Sequence, residues 1–149
     1  ADLLLAVAGA ERNEVHPAVV CPLQNLRRQR LIVLDRFERL PEKVRSFIAD
    51  RQNAVLVSAA SIWEIATKHR LGKLEGVGEL LADIDTYVRD QSFDWLDIAA
   101  VHALRAGLLP GAHRDPFDRM LIAQALCVEA VLVSNETLFD GFGVQRLWN

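Results

Sequence analysis

The sequence predicts an α/β fold in which helices cover both faces of a mainly parallel central sheet. Two observations support this prediction. Residues 54–57 and 131–134 are apolar runs of strand length, with the continuous hydrophobic character of strands that are buried on both faces. Segments with helical periodicity lie between such runs, and strands that alternate with helices form βαβ units around a parallel sheet.

The composition is that of one globular domain. The chain has 149 residues, of which 51% are hydrophobic and 25% charged, enough for a single folded core. No apolar run approaches the roughly 20 residues that a membrane span needs, and Cys21 and Cys127 form no metal-binding pair. The net charge of −3 argues against a general nucleic-acid coat protein. We therefore expect a cytoplasmic protein without a membrane segment.

The pattern is clearest from Leu40 onward. Helical spacing of apolar residues predicts a helix that starts at Pro41 and runs to about residue 50. The strand 54–57 follows, and either Ser58 or Ser61 is suited to cap a helix over about 62–70. The later elements are predicted, in chain order, as a helix over 76–90, a strand over 93–96, helices over 98–108 and from Asp115 to about 129, a strand over 131–134, a helical turn over 136–139 and a strand over 144–147.

The first 39 residues have no single pattern, and we treat them as an atypical N-terminal segment before a domain that spans residues 40–149. Residues 3–9 suit either a strand or a helix. Residues 26–40 form either one amphipathic helix or, over 31–34, a strand that ends at Asp35. Both alternatives remain open from the sequence.

Acidic residues stand at three predicted helix starts, each of which has a purely structural explanation. Glu64 has the spacing of a capping box with Ser61, and an acid near a helix N-terminus gains about 0.3–1 kcal/mol from the helix dipole. Asp115 is suited to cap the helix that Pro116 opens, with Asp118 in its first turn. Glu136 follows the apolar run 131–134 in the same way.

The combination of these acids also predicts a metal site. Because the carboxyl ends of parallel strands share one edge of the sheet, the helix starts that follow the strands can bring their carboxylates together. Crowded carboxylates repel one another unless a hard divalent cation lies between them. Mg²⁺ or Mn²⁺ held by oxygen ligands is suited to phosphodiester hydrolysis.

Several motifs resemble PIN-domain ribonucleases of the VapC toxin type. They are Trp63-Glu64-Ile65 within residues 55–65, the basic stretch 68–74, Leu-Pro-Gly at 109–111, Asp115-Pro-Phe-Asp118 within 113–124, and the segments 132–136 and 143–148. The match spans about residues 40–148.

The resemblance implies a three-layer α/β/α fold and an endoribonuclease that depends on Mg²⁺ or Mn²⁺. It also implies a toxin that forms homodimers and is neutralised by a VapB-like antitoxin. Glu64 matches the second acid of the family and Asp118 the third, while Asp115 assists within the same motif. Glu136 takes a fourth position, where many members carry Asp, and Ser134 takes the small hydroxyl position before it.

The N-terminus departs from the family pattern. Family members begin with a strand that ends in the first acid, in a motif close to Asp-Thr-His, which this chain lacks. Counting back from Leu40 places the first acid near Asn25 or Leu26, and the available acids are Asp2 and Asp35. The hypothesis at this point is that a frameshift or an altered gene start replaced the usual N-terminus.

Basic and aromatic residues near the acids have two interpretations. Lys68, Arg70 and Arg114 suit contacts with RNA phosphates, although such residues on helix faces more often serve solvation. The histidines, His69 and His113, are expected at the surface. Three tryptophans, Trp63, Trp95 and Trp148, are more typical of core or interface positions than of base stacking.

Two rival interpretations stay open. A PIN-like module without the first acid binds an antitoxin or dimerises without cutting RNA. A flavodoxin-like or receiver-type domain is disfavoured, because the acidic pair and the lysine that a receiver needs are not evident.

Overall fold

The computed structural model describes residues 40–148 and, before them, the backbone of four short strands. These are β1 (Leu3–Leu4), β2 (Val7–Ala8), β3 (Arg30–Val33) and β4 (Asp35–Arg36). The sequence interpretations that concern Asp2, Cys21, Asn25 and Leu26 lie outside the described residues. For residues 31–33 the strand alternative is confirmed, since β3 covers them.

The remaining elements follow the predicted alternation of strands and helices. They are α1 (Glu42–Ala49), β5 (Ala54–Ser58), α2 (Ala59–Arg70), α3 (Gly78–Ala82), α4 (Ile84–Asp90), β6 (Asp94–Leu96), α5 (Ala100–Leu108), α6 (Pro116–Cys127), β7 (Val131–Val133), a 3-10 helix (Thr137–Phe142) and β8 (Gln145–Leu147).

The main sheet has the strand order β6-β5-β3-β2-β7-β8, and β3 also pairs directly with β7. The pairs β5–β6, β3–β5, β3–β7 and β7–β8 are parallel, whereas β2 runs antiparallel to β3 and β7. A separate two-stranded ribbon joins β1 to β4. The predicted α/β class with a mainly parallel sheet is therefore confirmed, and the division of the chain after residue 39 stays a prediction.

The register aligns the carboxyl ends of the parallel strands. Ser58 at the end of β5 is opposite Leu96 at the end of β6, and Val33 of β3 is opposite Val133 of β7. Segments that leave these strands therefore emerge at one edge of the sheet. In parallel α/β sheets this edge is where ligands bind.

Helix α6 forms the centre of the hydrophobic core. Leu121 and Ile122 are fully buried and lie in the same core as Leu132 of β7 and Phe139 of the 3-10 helix. At about 25 cal/mol per Å² of apolar surface, burial of one such leucine or isoleucine contributes roughly 1.5–3 kcal/mol. The core therefore holds α6 firmly against the sheet, and with it the acids at the start of that helix.

The predicted single helix over 76–90 is wrong, because the structure has two helices that meet at Asp83. The apolar stripe continues across the break, so periodicity alone does not reveal it. Asp83 has non-helical backbone angles, φ −145° and ψ 56°, and its side chain accepts a hydrogen bond from the Thr86 amide at 3.4 Å. Aspartate stabilises a new helix start better than it continues an old one.

The start of α2 also differs from part of the prediction. Ser58 is the cap, with its Oγ 3.0 Å from the Ala60 amide, so the helix begins at Ala59. Glu64 is consequently the sixth residue of α2 and lies in its second turn, and the proposed capping box with Ser61 is wrong. Ser61 is instead buried, and its Oγ has no hydrogen-bond partner among the described residues.

Candidate active site

The N-terminus of α6 forms as the sequence predicts. Asp115 caps the helix: its Oδ1 accepts hydrogen bonds from the amides of Phe117 at 2.8 Å and Asp118 at 3.3 Å. Pro116 takes the first helical position, where its missing amide hydrogen costs nothing. The cap fixes the backbone that carries Asp118, so the structural explanation for Asp115 holds and is compatible with a site beside it.

Asp118 is held by a histidine that the sequence analysis expected at the surface. The Nε2 of His113 lies 2.7 Å from Oδ2 of Asp118, and the two side chains are only 14% and 24% exposed. The imidazole also contacts the rings of Phe139 and Phe142 edge-on, with centroids 6.0 and 6.2 Å away. The expectation of a surface histidine is therefore wrong for His113, and Asp118 keeps its Oδ1 for another partner.

Three acids act on one another at this point. Burial raises the pKa of Asp118 above its ordinary range, and the hydrogen bond with His113 opposes that increase. The negative charges of Asp115 and Glu64 raise the pKa of Asp118 further. Both negative charges therefore act on Asp118, and the convergence of Glu64, Asp115 and Asp118 on one ion stays a prediction.

Glu64 reaches the site from α2. Its carboxylate is 15% exposed and lies 2.5 Å from the ammonium of Lys68, one helical turn later, whose side chain is 53% exposed. The lysine offsets a charge that would otherwise add to the acidic cluster. Lys68, predicted as an RNA contact, is thus placed beside an acid of the candidate site.

Two contacts join α2 to α6. The Oγ of Ser58 donates a 2.5 Å hydrogen bond to Oε1 of Gln124, and both side chains are completely buried. Closer to the acids, the rings of Trp63 and Phe117 meet edge to face with centroids 4.7 Å apart. Each ring precedes an acid by one residue in the sequence, so this contact lies between the two acid-bearing helices.

Glu136 is engaged elsewhere. Its Oε1 accepts from the Leu138 amide at 3.0 Å and caps the 3-10 helix, while Ser134 accepts from the Glu136 amide at 3.0 Å. The pKa of Arg146 is raised chiefly by its hydrogen bond to Asp140 and in smaller part by the charge of Glu136. A metal-binding role for Glu136 stays a prediction, and its present contacts are with its own turn.

The other predicted RNA contacts, Arg70 and Arg114, are exposed. Arg70 ends α2, and Arg114 precedes the helix cap Asp115. Within residues 40–148, neither arginine forms an ion pair with a carboxylate. Both cations are therefore accessible, and Arg114 lies beside the helix start that carries Asp115 and Asp118, whereas Arg70 lies six residues after Glu64 at the end of α2.

A partly buried hydrogen-bond network around Arg119 was not predicted from the sequence. This side chain donates to the carbonyl oxygens of Ala106 at 2.9 Å, Leu109 at 2.6 Å and His113 at 3.0 Å. It thereby ties the end of α5 and the following loop to α6, and holds the backbone that presents His113 to Asp118. The sequence signal for this network is a basic residue directly after Asp118.

The donor set suits a hard divalent cation, since Glu64, Asp115 and Asp118 offer only carboxylate oxygens. The repulsion that raises the pKa of Asp118 is the electrostatic condition that a cation relieves. Within the described residues, no group of three His, Cys, Asp or Glu side chains is already arranged to hold a metal ion. If Glu64 held such an ion, it would have to exchange its contact with Lys68 for the metal.

Comparison with known proteins gives two matches. A family model described as PIN domain matches residues 30–143. The fold is similar to the crystal structure of VapBC2 from Rickettsia felis bound to a DNA fragment from their promoter, with a TM-score of 0.53, 16% identity, and coverage of 72% of this chain and 83% of that one. Curated protein sequences gave no match. No helix within the described residues is long and apolar enough to cross a membrane.

Proposed function

We propose that this chain, which belongs to the PIN domain family, is an endoribonuclease toxin of the VapC type that depends on Mg²⁺ or Mn²⁺. PIN domains are generally nucleases, and therefore hydrolases of phosphodiesters. The observation that carries the proposal is the match of residues 30–143 to the PIN domain family, and the charges of Asp115 and Glu64, which help burial to raise the pKa of Asp118, support it.

In this proposal Glu64 and Asp118 hold the divalent ion, and Asp115 and Glu136 support the site. The bound ion would activate a water molecule and offset charge on the scissile phosphate. His113 orients Asp118 through Oδ2, and Arg119 holds the backbone of that histidine. If Glu64 held the ion, Lys68 would no longer be paired with it and, together with Arg70 and Arg114, would be available to an RNA phosphate.

Asp35 is the best candidate for the first acid. It is the first residue of β4, two residues after the end of β3, and the parallel pairing of β3 with β5 and β7 supports a position near the carboxyl edge of the sheet. Asp2 lies outside the described residues. The proposal predicts that Asp35→Asn weakens Mn²⁺ binding, whereas an unchanged affinity would leave the first-acid position without a ligand.

The experiment is cleavage of structured RNA with and without Mg²⁺ or Mn²⁺. We expect metal-dependent cleavage that Glu64→Gln abolishes. The matched control is Glu79→Gln, because Glu79 is an exposed glutamate in the first turn of α3. Cleavage that survives Glu64→Gln, or that is lost equally in Glu79→Gln, would contradict the assignment.

The partners in this proposal are RNA as substrate, a second copy of the chain and a VapB-like antitoxin, all in the cytoplasm. The named toxin–antitoxin complex with a similar fold supports the antitoxin. Co-expression with the product of a neighbouring small gene, followed by co-purification and loss of cleavage, tests this part.

A second candidate is a PIN module that binds an antitoxin or dimerises without cutting RNA. Two observations favour it. Glu64 is paired with Lys68, and within residues 40–148 no three His, Cys, Asp or Glu side chains are arranged to hold a metal ion. Antitoxin binding without metal binding or RNA cleavage would select this candidate over the nuclease.

A further inference from the structure

Trp63 is unusual in both its exposure and its position. Its side chain is 58% exposed, although a tryptophan normally buries most of its large apolar surface. It stands one residue before Glu64, on the helix that brings this acid to Asp118. Of the two expectations for Trp63, a core position is therefore wrong and an interface position stays a prediction, and the ring is open to solvent next to Glu64.

The ring is nevertheless held in place. Its edge-to-face contact with Phe117 has a centroid separation of 4.7 Å and an interplanar angle of 71°. Phe117 is itself fixed at the start of α6, where its amide donates to the Asp115 cap at 2.8 Å. An aromatic ring that is anchored on one side and open over more than half of its surface loses little conformational entropy when a flat ligand stacks on it.

The helix face that carries Trp63 is not an apolar stripe. The positions three, four and seven residues later are Ala66, Thr67 and Arg70, so the face passes from an aromatic ring to small and polar residues and then to a cation. This face therefore offers a hydrophobic partner helix one aromatic residue but not the row of apolar residues that such a helix packs against. The aromatic ring followed by cations suits a nucleotide instead, with its base stacked on Trp63 and its phosphates toward Lys68 and Arg70.

We propose that Trp63 is a base-stacking platform that binds an unpaired nucleobase of single-stranded RNA beside the scissile phosphate. This inference rests on the proposed nuclease function and deepens it, because it names unpaired RNA as the preferred part of the substrate. Unstacked bases in loops and single strands are the ones that aromatic side chains can reach.

The test measures binding of a short unstructured RNA to the Glu64→Gln protein, in which cleavage is removed. Trp63→Leu is expected to weaken the affinity by about 5- to 100-fold, the range for loss of one stacked base. Trp63→Phe, which keeps an aromatic ring, is expected to recover part of it. Trp95→Leu is the matched control, because Trp95 is also partly exposed, at 37%, and belongs to β6 rather than α2.

Two further readouts separate stacking from a structural role. RNA is expected to quench tryptophan fluorescence in the Trp95→Phe protein but much less in Trp63→Phe. In the cleavage-competent background, Trp63→Leu is expected to raise KM with little change in kcat, and to leave Mn²⁺ affinity unchanged.

The outcomes distinguish this inference from the proposed function. RNA affinity within twofold of the parent in Trp63→Leu, or an equal loss in Trp95→Leu, overturns the stacking role while the nuclease proposal stands. A fall in Mn²⁺ affinity that parallels the loss of RNA binding also overturns it, because Trp63 would then act only by placing Glu64. A parent that neither binds nor cuts RNA overturns both.

Discussion

Replacement of Gln124 by methionine is expected to destabilise the protein by about 2–4 kcal/mol, although the two side chains have similar size. Gln124 is completely buried in an otherwise apolar stretch of α6. Its Oε1 accepts from Ser58 at 2.5 Å, and its Nε2 donates to the carbonyl oxygens of Asp97 at 3.2 Å and Leu96 at 3.5 Å. One side chain thus joins α6 to the ends of β5 and β6.

The magnitude follows from these bonds. Each of the two shorter hydrogen bonds has a net value of about 0.5–1.5 kcal/mol, and the longer one adds little. Methionine also leaves the Ser58 hydroxyl buried without an acceptor, which costs roughly 1–3 kcal/mol in desolvation. A domain of this size loses about 2–4 °C of unfolding temperature per kcal/mol, so we expect a decrease of about 4–16 °C.

The assay is urea unfolding of Ser58→Ala, Gln124→Met and the double variant. Because both single changes break the same bond, their effects should overlap, with a coupling energy of about 1–2 kcal/mol. Ser134→Ala is the control: Ser134 is also buried and also accepts from an amide, that of Glu136, but its effect should add to that of Gln124→Met. Additive effects for Ser58 and Gln124 would refute the role of their bond in joining the two acid-bearing helices.

Three further predictions concern single side chains. Asp118→Asn should raise the unfolding temperature of the metal-free protein at neutral pH, because the raised pKa of Asp118 means that its charged form destabilises the fold. The gain should vanish as the pH falls below 3.8, where the carboxyl is protonated in the folded and the unfolded protein. A gain that does not depend on pH would contradict this prediction. Burial lowers the pKa of His102, so the unfolded chain takes up the proton first and stability should fall as the pH drops below 6.5. His102→Asn should make the unfolding temperature less dependent on pH between about pH 7 and 5. An unchanged dependence of the unfolding temperature on pH would contradict this. Arg119→Lys should lower the free energy of unfolding by about 2–3 kcal/mol, because one ammonium cannot replace a guanidinium that donates to several carbonyl oxygens. A decrease below about 0.5 kcal/mol in urea unfolding would contradict the role of this network.

The sequence predicts those parts of the fold that local chemistry determines. Asp115 and Pro116 predict the start of α6. The apolar runs of β5 and β7 predict strands that are covered on both faces. The break at Asp83 was missed because apolar periodicity runs through it, while the side chain that creates the break acts over only three residues.

The candidate site divides in the same way. Glu64, Asp115 and Asp118 could be named from their motifs, and in the fold the charges of Glu64 and Asp115 act on Asp118. The contacts that organise them join residues far apart in the chain, such as Ser58 with Gln124 and Trp63 with Phe117. No local pattern encodes these pairs, so the exposure of Trp63 and the burial of Gln124 emerge only from tertiary packing.

The central claim is that Glu64 and Asp118 hold one divalent ion, and Mn²⁺ titration by calorimetry tests it most directly. The control is Asp85→Asn, because Asp85 is an exposed aspartate in the first turn of α4. We predict binding of one ion to the parent and to the control, and a loss of affinity of at least about tenfold in both Glu64→Gln and Asp118→Asn, since even outer-sphere changes cost 10- to 100-fold. Absence of binding in the parent, or binding that neither substitution weakens, would contradict the account.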